Sequence, residues 1–273
     1  MAPRSWAAAG VLSLVLLAPV TAGCGVVRAA STLAKSKASP AASAAPTPKQ
    51  EVTDALKVLE TSPYHFTANT DDGSKVSGDI DPTAHALQVV FALKEDGVPM
   101  TMTFRVVDSE CYAKIDVKGV TVPGLEDPRG RWMHTDPDRL GGLHQALVDM
   151  TSGDGDPFGG KGILWYGSAV TKVDDTHFTG TTDLSRLDSI ALSDDALVKA
   201  LGAKASAVPF EVVLDDRHRP VSVTLTVPPA GKATSPTVLK ATYGGFGESA
   251  DLARPAADQT VEASKELYQM FQG

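Results

Sequence analysis

Few residues in this chain have the type and spacing to do chemistry. Gly155-Asp156-Pro157-Phe158-Gly159-Gly160-Lys161-Gly162 carries the glycine and lysine spacing of a loop that cradles phosphate with backbone amides and an ammonium group. Gly162 stands where a hydroxyl would hold magnesium, and the loop is expected to run from helix into strand, the reverse of the phosphate-binding order. The segment therefore reads as a connector. Asp154 and Asp156 have the ligand type for calcium, but no EF-hand series follows them. Tyr166-Gly167-Ser168-Ala169-Val170 lacks the second glycine of a nucleophile elbow. The six histidines are scattered, with no His-Glu-x-x-His pair and no cysteine cluster for zinc. His134 lies beside Trp132, and an imidazole hydrogen-bonded at a strand end accounts for it. Acid, base and nucleophile are not assembled, so the expectation is no catalysis, no metal and no cofactor.

Cys24 is the exception. Arg4 opens the chain, an uncharged run rich in Ala, Leu and Val extends from Ala7 to Val20, and Thr21-Ala22-Gly23 precede the cysteine. The run is shorter than the roughly 20 apolar residues of a transmembrane helix and ends in small residues, as a cleaved leader does. Ala22-Gly23-Cys24 resembles the lipobox of bacterial lipoproteins, with Thr21 where Leu is usual. That resemblance implies removal of residues 1–23 and joining of the Cys24 thiol to diacylglycerol, which carries fatty acyl chains such as palmitate. The alternative is plain secretion with a cysteine close to the cut. Cleavage leaves 250 of the 273 residues and, with Arg4 gone, takes the formal charge from −8 to −9. An acidic chain of this kind lacks the clustered Lys and Arg that nucleic acid demands. Cys111 becomes the sole thiol, so no intrachain disulfide forms.

The remainder of the chain must position these residues. Residues 24–50 are dominated by Ala, Ser, Lys, Thr and Pro, bury too little to offset ordering entropy, and read as a tether. About 25 such residues reach roughly 25 to 30 Å on average. Folding is expected from Glu51, where Val52, Ala55, Leu56 and Leu59 form the apolar stripe of a short helix ended by Ser62-Pro63. The period then changes from 3.6 to 2, with strands over Tyr64 to Thr70 and Val76 to Ile80 around the turn Asp71-Asp72-Gly73.

Leu87, Val89, Phe91 and Leu93 share one face of a long hairpin with Val98, Met100, Met102, Phe104 and Val106, across Glu95-Asp96-Gly97. A strand over Cys111 to Val117 and a short one over Gly130 to His134 come next. Asp136-Pro137 starts a helix with Leu140, Leu143, His144, Leu147 and Met150 inward. Strands are expected over Ile163 to Val173 and His177 to Asp183. A helix capped by Ser193-Asp194-Asp195 turns Leu197, Ala200 and Leu201 inward. Val208 to Leu214, Val221 to Val227 and Val238 to Tyr243 complete the sheet, and a helix over Ala256 to Phe271 closes the chain. The pattern predicts one α+β domain over residues 51–273, about ten strands in meander order forming a large antiparallel sheet with short helices on one face.

Several of these pieces together resemble the actinobacterial LppX/LprAFG-type lipoproteins. The landmarks are Cys24, the Tyr64-His65-Phe66 strand opening, Asp81-Pro82 before the hairpin, Gly130-Arg131-Trp132-Met133-His134, and Tyr243-Gly244-Gly245-Phe246-Gly247. The resemblance implies a fold like the lipoprotein carrier LolA: a large curved antiparallel sheet, or half-open barrel, with short helices packed on its concave face around an apolar cavity. It further implies a protein on the extracytoplasmic face of the cell membrane that carries acylated lipid or glycolipid across the envelope, with a membrane transporter as a possible partner. On that reading strand parity places Phe66, Val89, Phe91, Met100, Met102, Phe104 and Trp132 on the cavity wall; periodicity alone equally allows Phe91, Met100, Met102 and Phe104 to be core against the covering helices. The alternative is a non-catalytic envelope interaction module with the same fold and no lipid cargo. A lipid hydrolase would need a buried Ser or Asp beside His134 or His177.

Overall fold

The computed structural model describes residues 45–69, 74–95, 97–119, 127, 130–153, 155, 159–187, 195–231 and 233–271. Cys24, the turn residues 71–73 and 96, Asp154, Asp156 and the cap Ser193-Asp194 lie outside the described residues.

The fold opens with α1 (Pro48–Ala55), three residues before the expected onset. Thr47 and Gln50 cap it reciprocally, the Thr47 side chain accepting from the Gln50 amide and Gln50 Oε1 accepting from the Thr47 amide at 2.8 Å. A capping box with proline at the first position thus overrides the low-complexity composition, and residues 48–50, expected in the tether, are helical. The stripe Val52, Ala55, Leu56 and Leu59 is buried, but it runs over two helices, α1 and α2 (Val58–Thr61).

Twelve strands rather than about ten form one open sheet: β1 (Tyr64–Asn69), β2 (Lys75–Asp81), β3 (Ala86–Glu95), β4 (Val98–Val107), β5 (Glu110–Val117), β6 (Trp132–Thr135), β7 (Ser168–Lys172), β8 (His177–Thr182), β9 (Val208–Leu214), β10 (Pro220–Val227), β11 (Thr237–Gly244) and β12 (Thr260–Glu262). Their order is β12-β6-β5-β4-β3-β2-β1-β11-β10-β9-β8-β7. Two meanders therefore meet where β1 pairs with β11, and every pairing is antiparallel except β12 on β6. One face carries most of the buried apolar side chains and is covered by α1, α2, α4 (Gly142–Thr151), α5 (Gly160–Trp165) and α7 (Lys265–Gln269), whose buried side chains join it in a single core.

Several elements differ from expectation for local reasons. The helix from Asp136 is two, α3 (Pro137–Leu140) and α4, because Gly141 at φ 55° breaks it. Asp136 still caps α3, accepting from the Asp138 amide. Residues 160–165 are helical, and the strand expected from Ile163 begins only at Ser168. In α6 (Asp195–Leu201), Leu201 is buried but Ala200 is exposed. A bulge between Pro220 and Ser222 turns Val221 outward. The expected C-terminal helix resolves into a 3₁₀ turn, β12 and α7.

That tail wraps an edge of the sheet. Ala253 accepts from Arg105 on the outer face at 3.0 Å. β12 then lies against β6, and Leu267 and Tyr268 of α7 are buried on the inner face.

Candidate functional site

The inner face of β3, β4 and β5 is laid out in cross-strand rows. Leu87 faces Val106 and then Cys111; Val89 faces Phe104 and then Ala113. Phe91 faces Met102 and then Ile115; Leu93 faces Met100 and then Val117. Paired residues share a face, so alternation in two ten-residue strands is enough to build this wall. The first two rows are sealed, every residue in them being 1% exposed or less. Toward the hairpin end the seal fails: Phe91, Leu93, Met100, Met102 and Val117 are half-buried.

The cover explains the gradient. α4 lies over β2, β3 and β4. Phe271, just beyond α7, meets Phe104 edge-on with ring centroids 5.8 Å apart, and Phe104 meets Phe91 in the same manner at 6.0 Å. Phe66, also on this face, is fully buried, with its ring over Gly78 of β2. Of the residues expected on a cavity wall, Phe66, Val89 and Phe104 are thus sealed beneath helices. Phe91, Met100 and Met102 leave a partly open apolar surface at the hairpin end.

Trp132 is a correction. β6 pairs with β5 through Ala113 and Met133, so Met133 and Thr135 take the inner face and Trp132 the outer. There the Arg105 guanidinium lies 4.8 Å and the Lys114 ammonium 4.7 Å from its ring centroid. A four-residue strand without apolar alternation leaves the phase of its side chains open.

The outer face also organises His134. Its Nε2 lies 2.5 Å from Glu110 Oε2 and its Nδ1 3.5 Å from Glu262 Oε1, with the Tyr112 ring 5.3 Å away. Burial opposes the imidazolium, but the hydrogen bonds and charges of Glu110 and Glu262 outweigh it, and the pKa lies above the ordinary histidine value. The three residues and Arg254 line a groove of about 580 Å³ between β5, β6 and the returning tail. His177 is different: its Nδ1 sits 2.9 Å from Asp174 in a surface turn. Amides of Thr176 and His177 and the imidazole hold the Asp174 carboxyl down to about 2. Cys111 is fully buried, and burial pushes its thiol up to about 11 against a smaller opposing hydrogen bond with Thr135.

The glycine-lysine loop leads into α5, not into a strand as expected. Lys161 pairs with Glu60 at 2.8 Å and donates to the Gly153 carbonyl, which are structural roles. Among the described residues no group of three or more His, Cys, Asp or Glu could hold a metal ion.

No family model matches this chain, and no curated protein does. Among solved structures, an uncharacterized conserved protein from Thermus thermophilus is similar over 79% of this chain and 99% of its own, at 13% identity and a TM-score of 0.31. At that TM-score the likeness bears on neither fold nor function.

Sequence reasoning missed the partners of His134, which lie 24 residues upstream in Glu110 and far downstream in Glu262; only strand register brings them together. His144, expected inward, has a buried Nδ1 without a hydrogen-bond partner, whereas Trp165, which stands 69% exposed at the end of α5, was missed.

Proposed function

We propose that this chain is a membrane-anchored lipoprotein of the LppX/LprAFG type that carries acylated lipid or glycolipid across the cell envelope. Its sheet would curve into a LolA-like half-open barrel, with the cargo on the inner face and Cys24 holding the protein at the extracytoplasmic side of the membrane. One observation supports this reading above others: the apolar face continues past its helical cover, leaving Phe91, Leu93, Met100 and Met102 half-buried while Val89 and Phe104 are sealed. A face built only for stability would end where its cover ends. An acyl chain laid along this open end would gain about 25 cal/mol for each Å² of apolar surface removed from water.

Native mass spectrometry of the purified protein, followed by solvent extraction, tests the reading. Lipid should co-purify and should be lost in a Phe91→Asp, Met102→Asp variant that keeps its far-ultraviolet circular dichroism. Absence of lipid from the parent protein, together with no uptake of a fluorescent fatty acid, would sink the proposal.

A further inference from the structure

A second surface lies away from that wall. α1, α2 and α5 enclose a groove of about 740 Å³ whose lining includes Leu56, Lys57, Lys161, Trp165, Tyr166 and Arg186. Trp165 is 69% exposed, and the other exposed large apolar residues among those described are all valines. Lys57 is matched by Asp54 at 2.6 Å and Lys161 by Glu60 at 2.8 Å. Arg186 has no carboxylate partner among the described residues; its guanidinium lies 4.2 Å from the Tyr166 ring centroid, exposed and with its donors open. The groove therefore combines one unpaired guanidinium, whose fork suits phosphate oxygens, with one exposed indole of the kind that settles at a membrane–water boundary.

The position of the N-terminal approach bears on the partner. The Lys49 ammonium of α1 donates to the Gly167 carbonyl at 2.8 Å, two residues from Trp165, so the chain joins the folded unit beside this groove. Twenty residues separate Cys24 from Ala45, and even fully extended they span no more than about 70 Å. On the reading that Cys24 carries the acyl anchor, the anchored segment enters the folded unit at this flank.

We propose that the groove between α1, α2 and α5 is a bilayer-docking surface, with Trp165 entering the headgroup region of a phospholipid membrane and Arg186 taking a lipid phosphate. This orientation rests on the anchored-carrier reading, but its test is separate. The lipidated mature chain is reconstituted in phosphatidylcholine vesicles with brominated acyl chains, with and without phosphatidylglycerol. Removal of the leader takes Trp6 and leaves Trp132 and Trp165 as the tryptophans. In Trp132→Phe protein, Trp165 emission should shift to the blue and be quenched by brominated lipid. Should Trp132→Phe fail to fold, Trp132→Tyr keeps a ring beside Arg105 and Lys114. In Trp165→Phe protein, Trp132 emission should be unchanged. Arg186→Gln should lower the ratio of docked to undocked protein about fivefold, the effect of one basic residue near an anionic surface. Quenching in both vesicle types supports contact with phosphate itself, and quenching only with phosphatidylglycerol supports contact aided by net surface charge. Trp165 emission indifferent to bromination overturns the proposal, and so does equal quenching of Trp132, because the contact would then not be local to the groove. Cargo on the same Trp132→Phe protein keeps the two readings apart. Bound lipid with unquenched Trp165 ends docking and leaves the carrier, whereas quenched Trp165 without lipid does the reverse.

Discussion

At the scale of single residues, two groups with altered acid–base chemistry lie on opposite faces of β5 and β6. Cys111 is held as a thiol by burial, so a disulfide reagent at pH 8 should label Cys111 negligibly in the native protein. In denaturant the mature chain should yield one thiol if Cys24 is acylated and two if it is not, which makes the titration a direct count of lipidation. His134 is a matter of sign. Its pKa is raised on folding, so the stability it contributes is fully present below the unfolded value of about 6.5 and is lost as pH rises through the folded value. Glu110→Gln should therefore cost up to about 1 kcal/mol in urea unfolding at mildly acid pH, and the difference should shrink as the solution turns alkaline. A difference that grew with pH would contradict the Glu110–His134–Glu262 arrangement. Legibility at this scale follows strand length. The phase of Phe91, Met100, Met102 and Phe104 is readable because alternation persists through two ten-residue strands joined in register, whereas four residues of β6 fix no phase and Trp132 is misread.

At the scale of elements, each half of the sheet uses the same device to keep its strands close. Phe66 of β1 is paired with Gly78 of β2, and Phe210 of β9 with Gly180 of β8. In both pairs the ring lies over the glycine, so a Cβ there would strike it. The two sites are not equal. A Cβ on Gly78 would also collide with the Gln88 backbone carbonyl, which is held in the β2–β3 ladder, while on Gly180 its nearest neighbour is the Phe210 ring at 2.6 Å. A backbone atom in a ladder yields less than a ring tip. Gly78→Ala should therefore destabilise by about 3 kcal/mol and Gly180→Ala by about 1 kcal/mol, within the range for overpacked cores, as read from denaturation midpoints at constant slope. Neither glycine announces this role in the sequence, because covering a glycine requires knowing which strand lies beside it. The same holds for α5 and β12. Ile163, Leu164 and Trp165 suit strand or helix equally over so short a run, and β12 has three residues whose pairing with β6 depends on a tail that first crosses the outer face.

At the scale of the whole molecule, the acylation proposed at Cys24 joins two observed features: a compact unit that begins at Ala45, and an exposed indole beside the point where the chain joins that unit. Each restrains the protein with a different strength, and the order of strengths makes a prediction. Even one myristoyl-length chain gives membrane binding of only about 10⁴ M⁻¹, so firm attachment takes more than one chain. Trp165 and Arg186 bury far less apolar surface than an acyl chain, and Arg186 adds about 1 kcal/mol near an anionic surface. Docking can thus orient a protein already anchored but cannot hold a free one. Cys24→Ala should move the protein from the membrane to the soluble fraction once the leader is removed. Its thermal unfolding should stay that of the parent, because the residue lies outside the compact unit. Membrane fractionation with a calorimetric scan of the released protein reads both. A processed variant that stayed on the membrane would mean that protein contacts hold it there and that the acyl chains do not.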